Sequence, residues 1–169
     1  MTTKPLVSII MGSDSDLEVM NEAAKALDLF QIPYEIDVSS AHRSPARTSA
    51  FSREAAGRGI KVIIAGAGGA AHLAGVIAAE TILPVIAVPI ASTPLNGFDS
   101  LLAMVQMPSG IPVATVAIGK AGATNAGILA AQIIATHDAG IAEKLVGFKH
   151  QLAQGVEEKS KKLKESRKK

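Results

Sequence analysis

Compact apolar runs alternate along the chain with longer stretches whose apolar residues recur every three or four positions. The runs LVSIIM (6–11), YEIDV (34–38), KVIIAG (61–66), PVIAV (84–88) and PVATVAI (112–118) read as five strands. After the first run, Leu17, Met20, Ala24, Leu27 and Phe30 fall at helical spacing. SPARTSAFSREAAGRG (44–59) predicts a helix with Ser44 at the N-cap, Pro45 at the first position and glycine at its end. Further helices are expected over 71–82, 97–106 and 122–136, and over most of 138–166, where the end turns polar. The strands are solid rather than alternating, which marks parallel strands buried on both faces. Five of them joined by crossover helices predict a three-layer α/β domain around a parallel sheet, with a C-terminal helix. The domain is expected over residues 1–150, followed by a basic, polar tail, 151–169, that is helical or disordered.

Charge and composition refine this outline. The tail segment 157–169 holds seven of the 17 Lys+Arg and three of the 15 Asp+Glu, which leaves ten basic and twelve acidic residues, net −2, on the rest. A basic tail suits nucleic acid or anionic lipid, or it is simply a solvated helix end; the second reading is preferred, and neither nucleic acid nor membrane is expected as a partner. Aromatic residues make up only 3%, too few for base-stacking platforms. Cysteine is absent, which removes disulfides, thiolate metal sites and cysteine nucleophiles and fits a reducing compartment. With no signal-peptide core at the start and no unbroken apolar span, the expectation is a soluble cytoplasmic protein. Between Val62 and His137 the only formal charges are Glu80, Asp99 and Lys120, and TNAGILAAQIIAT (124–136) is small or apolar nearly all round. That pattern predicts a homo-oligomer covering much of this half of the chain.

In a parallel sheet the strand-to-helix loops share one edge, where ligands bind near a reversal of strand order. Three loops there carry polar or glycine-rich sequence. MGSDSD (11–16) offers Gly12, Ser13 and Asp16; the Ser13–Asp16 spacing fits a capping box, and equally an anion held by Ser13 and main-chain N–H groups with Asp16 on sugar hydroxyls. GAGGAAHLAG (66–75) satisfies a dinucleotide-type glycine pattern, but it follows the third strand, and the next strand ends AVPIAS without a carboxylate for a ribose. A glycine wall against a small planar ligand is the preferred reading, with His72 either a ligand contact or a capping and packing residue. SSAHRS (39–44) sets Arg43, a planar fork for phosphate or carboxylate, beside His42, whose imidazole suits proton transfer near neutrality. Alone, the pair also reads as a turn histidine and a surface arginine. His137 and His150 read as structural, and nothing in the sequence suggests a metal site.

Together IIMGSDSD, SSAHRSP, VIIAGAGGAAHLAG, LPVIAVPI and LNGFDSLLAMVQMPSGIPVATVAIGKAGATNAGILAAQI resemble the N5-carboxyaminoimidazole ribonucleotide mutase family of purine biosynthesis, in order, from about Leu6 to Asp138. The resemblance implies a flavodoxin-like domain, a homo-octamer with sites between subunits, and conversion of N5-carboxyaminoimidazole ribonucleotide to 4-carboxy-5-aminoimidazole ribonucleotide without a cofactor. By position it implies that Ser13, Asp16 and Arg43 hold the ribose phosphate and that His42 is the general acid/base. Ser40 and the 66–72 loop would line the pocket around the imidazole and carboxylate, and Gly12, Ala41, Ala67, Gly68, Gly69, His72 and Leu73 count among the substrate-binding residues. A related class carboxylates aminoimidazole ribonucleotide directly with carbon dioxide. That class typically has lysine after the histidine, where this chain has Arg43. Ala74 and Ser109 depart from the family's usual residues.

Overall fold

The computed structural model describes residues 4–167. Five strands, β1 (Val7–Met11), β2 (Tyr34–Val38), β3 (Val62–Gly68), β4 (Val85–Ile90) and β5 (Ala114–Thr115), form one sheet in the order β2-β1-β3-β4-β5, with every pairing parallel. Six α-helices connect and cover it: α1 (Leu17–Leu29), α2 (Pro45–Glu54), α3 (Leu73–Glu80), α4 (Phe98–Val105), α5 (Lys120–Ala135) and α6 (Ala139–Ser166). This is the flavodoxin-like α/β architecture expected from the sequence.

Adjacent residues explain why the strands read as solid. Ile9 and Ile64 join a core with α1, α5 and α6, while their neighbours Ile10 and Ile63 join a second core on the opposite face with α2, α3 and α4. All four are fully buried, each worth about 1.5–3 kcal/mol relative to exposure. The edge strand β2 is only partly covered and contains Glu35 and Asp37. Glycine and alanine let α5 lie close against α1: a methyl group at Gly127 would stand 2.6 Å from the Ala23 carbonyl oxygen and 2.7 Å from Cβ of Ala26.

Several boundaries differ from those expected. The α2 helix stops at Glu54, because residues 55–59 tighten into turns: Arg58 N–H reaches both Glu54 and Ala55 carbonyls, and Gly59 closes the end at φ +98°. The expected fifth strand shrinks to two residues, although Val116 and Gly119 N–H groups still reach the carbonyls of Ala87 and Pro89 on β4. Conversely β3 runs two residues further, through Ala67 and Gly68, which pair with Pro89 and Ile90. The last helix, α6, passes residue 150 without a break. No helix among the described residues is long and apolar enough to cross a membrane.

Candidate active site

The strand order reverses beside β1, so the chain leaves β1 and β3 in opposite lateral directions and opens a crevice at their C-terminal ends. A cleft of about 360 Å³ occupies that position. Four connections line it. Gly12, Ser13, Ser15 and Asp16 follow β1; Ser40, Ala41, His42 and Arg43 follow β2; Ala67, Gly68, Ala70 and Leu73 come from the end of β3 through the start of α3; Ser92 follows β4.

The first connection is a single 3-10 turn, Asp14–Asp16, ahead of α1. Ser13 is its cap in an extended conformation, and its hydroxyl oxygen accepts from Ser15 N–H at 3.3 Å and from the Ser15 hydroxyl at 2.8 Å. The capping-box geometry is thereby altered: the side chain of Ser13 serves residue 15, and Asp16 N–H goes to the Ser13 carbonyl at 3.2 Å. Asp16 is 6% exposed. Burial raises its carboxyl above the ordinary aspartate range and the Asp14 charge adds to this, while hydrogen bonds from the Ser13 main chain and the Ser15 side chain oppose it.

The second connection is built inward from buried serine and threonine. Ser39 is 2% exposed and shares a 2.8 Å hydrogen bond with the hydroxyl of Thr48 on α2, while its N–H continues the sheet to Met11. Ser44 does not cap α2 with its side chain; its hydroxyl donates back to the Ser40 carbonyl at 3.0 Å. Pro45 starts the helix with φ already set. Between these anchors Arg43 folds over the cleft mouth: Nη2 donates to the Gly12 carbonyl at 3.0 Å, and Nε and the main-chain N–H donate to Ser40 Oγ at 3.4 and 3.1 Å. One guanidinium therefore ties the first two connections together and still presents Nη1, which has no partner among the described residues.

The third connection explains its glycines differently from the sequence reading. A Cβ at Gly66 would run into the thioether of Met20, one at Gly68 into Ser92, and Gly69 has φ +58°. The first two are glycines because a neighbouring side chain fills the space, and only the third is required by backbone conformation. Gly69 and His72 stand beside the cleft rather than on its wall. Ala70 lines it with the rest of its loop, and Ser15 and Ser92, to which the sequence assigns no role, line it as well. Ser92 was within reach of the same edge argument, since it lies two residues past β4. The cleft thus combines one arginine, one buried carboxylate, several hydroxyls and the imidazole of His42, against an apolar wall of Ala67, Ala70 and Leu73. Such a set can hold a polyhydroxylated anion and move a proton. No cluster of His, Asp and Glu that could hold a metal occurs among the described residues.

The AIR carboxylase family model matches residues 6–155. The N5-carboxyaminoimidazole ribonucleotide mutase of Pyrococcus horikoshii is 59% identical over 162 residues, spanning 96% of this chain and 90% of the relative. The protein of the same name from Bacillus subtilis is 57% identical over 160 residues, spanning 95% and 99%. Among solved structures, Treponema denticola PurE aligns with a TM-score of 0.85 at 32% identity, covering 94% of this chain and 98% of that one.

Proposed function

The chain belongs to the AIR carboxylase family, and from that premise we propose that it converts N5-carboxyaminoimidazole ribonucleotide to 4-carboxy-5-aminoimidazole ribonucleotide in purine biosynthesis. The observation that carries this reading is the meeting of Arg43, Asp16 and His42 around one cleft. Arg43 and Ser13 take the phosphate, Asp16 accepts from ribose hydroxyls, and the aminoimidazole lies against Ser40 and the Ala67–Leu73 wall.

The substrate is a carbamate. Its C–N bond breaks when the electron pair returns to nitrogen and a proton arrives there, releasing carbon dioxide. The ring carbon to be carboxylated is enamine-like and attacks the gas directly, then loses its own proton. His42 serves both transfers, giving a proton to nitrogen and taking one from carbon. The small cleft with its apolar wall keeps carbon dioxide beside the ring between the two steps. The chemistry needs no cofactor. A homo-octamer in the cytoplasm completes the reading.

The deciding assay follows isomerisation of purified substrate without ATP or bicarbonate. Turnover under those conditions is expected. Product formed only from aminoimidazole ribonucleotide and bicarbonate would assign the direct carboxylase reaction instead. His42→Asn should bind substrate and lose nearly all turnover; near wild-type turnover would remove His42 from the mechanism.

A further inference from the structure

His72 opens α3, yet its side chain makes no capping hydrogen bond. Its Nδ1 instead lies 2.9 Å from Nε2 of His42, with the rings edge to face at 73° and 5.0 Å between centroids. His42 lines the cleft, and His72 stands beside it, in contact with the His42 ring. A nitrogen–nitrogen contact of this length carries one hydrogen, so one ring donates and the other accepts.

We infer that His72 is a positioning residue: its Nδ1 accepts the Nε2–H of His42 and thereby leaves Nδ1 of His42 as the nitrogen that exchanges a proton with substrate. This rests on the mutase reading of the cleft. The opposite polarity fails chemically. If a neutral His72 donated, neutral His42 would carry its only proton on Nδ1, could accept none there, and could give that one up only by leaving an imidazolate, on its own ring or, after the shared proton followed, on that of His72. With His42 donating, both steps balance. The imidazolium gives its Nδ1 proton to the departing nitrogen while the C–N pair moves onto that nitrogen, and neutral His42 keeps Nε2–H. After the ring carbon has bonded to carbon dioxide, bare Nδ1 takes the carbon's proton, and the C–H pair returns to the ring. The proton shared with His72 stays in place throughout, and His72 holds ring orientation and tautomer as a carboxylate does for other catalytic histidines.

The test uses full-length protein. Nitrogen-15 NMR of histidine-labelled enzyme should show neutral His42 protonated at Nε2 and bare at Nδ1. His72→Phe keeps a ring and removes the acceptor, and should lower kcat roughly 100-fold with KM within about twofold. His72→Asn, whose amide oxygen stands near the place of Nδ1, should recover most of the loss. Wild-type kcat in His72→Phe, a raised KM at unchanged kcat, or an Nδ1–H tautomer of His42 would each overturn the assignment. If the wild-type enzyme leaves N5-carboxyaminoimidazole ribonucleotide untouched, the mutase reading fails, and the NMR result still decides the tautomer.

Discussion

Gly68 and Ser92 occupy each other's space. A methyl group at Gly68 would stand 2.8 Å from Cβ of Ser92 and overlap its hydroxyl, with the Ile90 carbonyl oxygen at 3.1 Å behind it. The last residue of β3 is therefore glycine so that the connection after β4 can bring a hydroxyl to the cleft.

Gly68→Ala should displace Ser92 and destabilise the fold by about 1–3 kcal/mol, the usual range for overpacking. Urea unfolding measures this, and turnover should fall with it. Adding Ser92→Gly should restore part of the stability, because the main clash is gone while the Ile90 carbonyl stays close. Additive effects of the two substitutions would show that the contact does not govern the site.

Arg43 bridges Gly12 and Ser40 through a planar fork that lysine cannot reproduce. Loss of a charged hydrogen bond to phosphate costs about 1.5–3 kcal/mol, so Arg43→Ala should raise KM roughly 10- to 100-fold. Arg43→Lys should recover only part of this, since the charge returns without the tie between connections. Steady-state kinetics decide the matter, and an unchanged KM in Arg43→Ala would take the residue out of the phosphate site.

The legibility of the fold followed burial. At β1 and β3 both faces are covered, and the apolar runs located the strands and, through the loops after them, most of the cleft. At β5 the run PVATVAI looked equally strand-like, but this edge pairs with β4 alone, and only Ala114 and Thr115 enter the ladder. The glycines of 66–68 hid the end of β3, because glycine signals a loop while here it makes room for Met20 and Ser92. Those are contacts between residues distant in sequence, and no local pattern encodes them. His42 and His72 are thirty positions apart for the same reason, and only the fold brings their rings together.

Leu95, Phe98, Leu102 and Val105 recur at helical spacing along α4 and the turn before it, and are 64%, 61%, 44% and 50% exposed. An apolar stripe of this kind on a single chain calls for a covering subunit. Light scattering at micromolar concentration should give a mass well above the 17.3 kDa of one chain. Phe98→Asp should lower that mass. Activity should drop with it, because the same connection carries Ser92 to the cleft. A monomer mass for the wild-type protein would refute the argument.

Asp16 ties stability to pH. Because burial raises its carboxyl, the native protein holds that proton to higher pH than the unfolded chain does. Between the ordinary aspartate value and the raised one the native state binds more protons, so stability falls as pH rises through that window. Asp16→Asn removes the titration. The variant should match the wild type below the window, gain on it through the window, and stay more stable by a constant margin above. Urea midpoints across a pH series measure the difference, and parallel curves would show that the burial of Asp16 carries no net cost. The same variant should bind substrate poorly, since a neutral amide is a weaker acceptor for ribose hydroxyls. Stability gained together with affinity lost would identify the buried carboxylate as a group kept for binding at the expense of the fold.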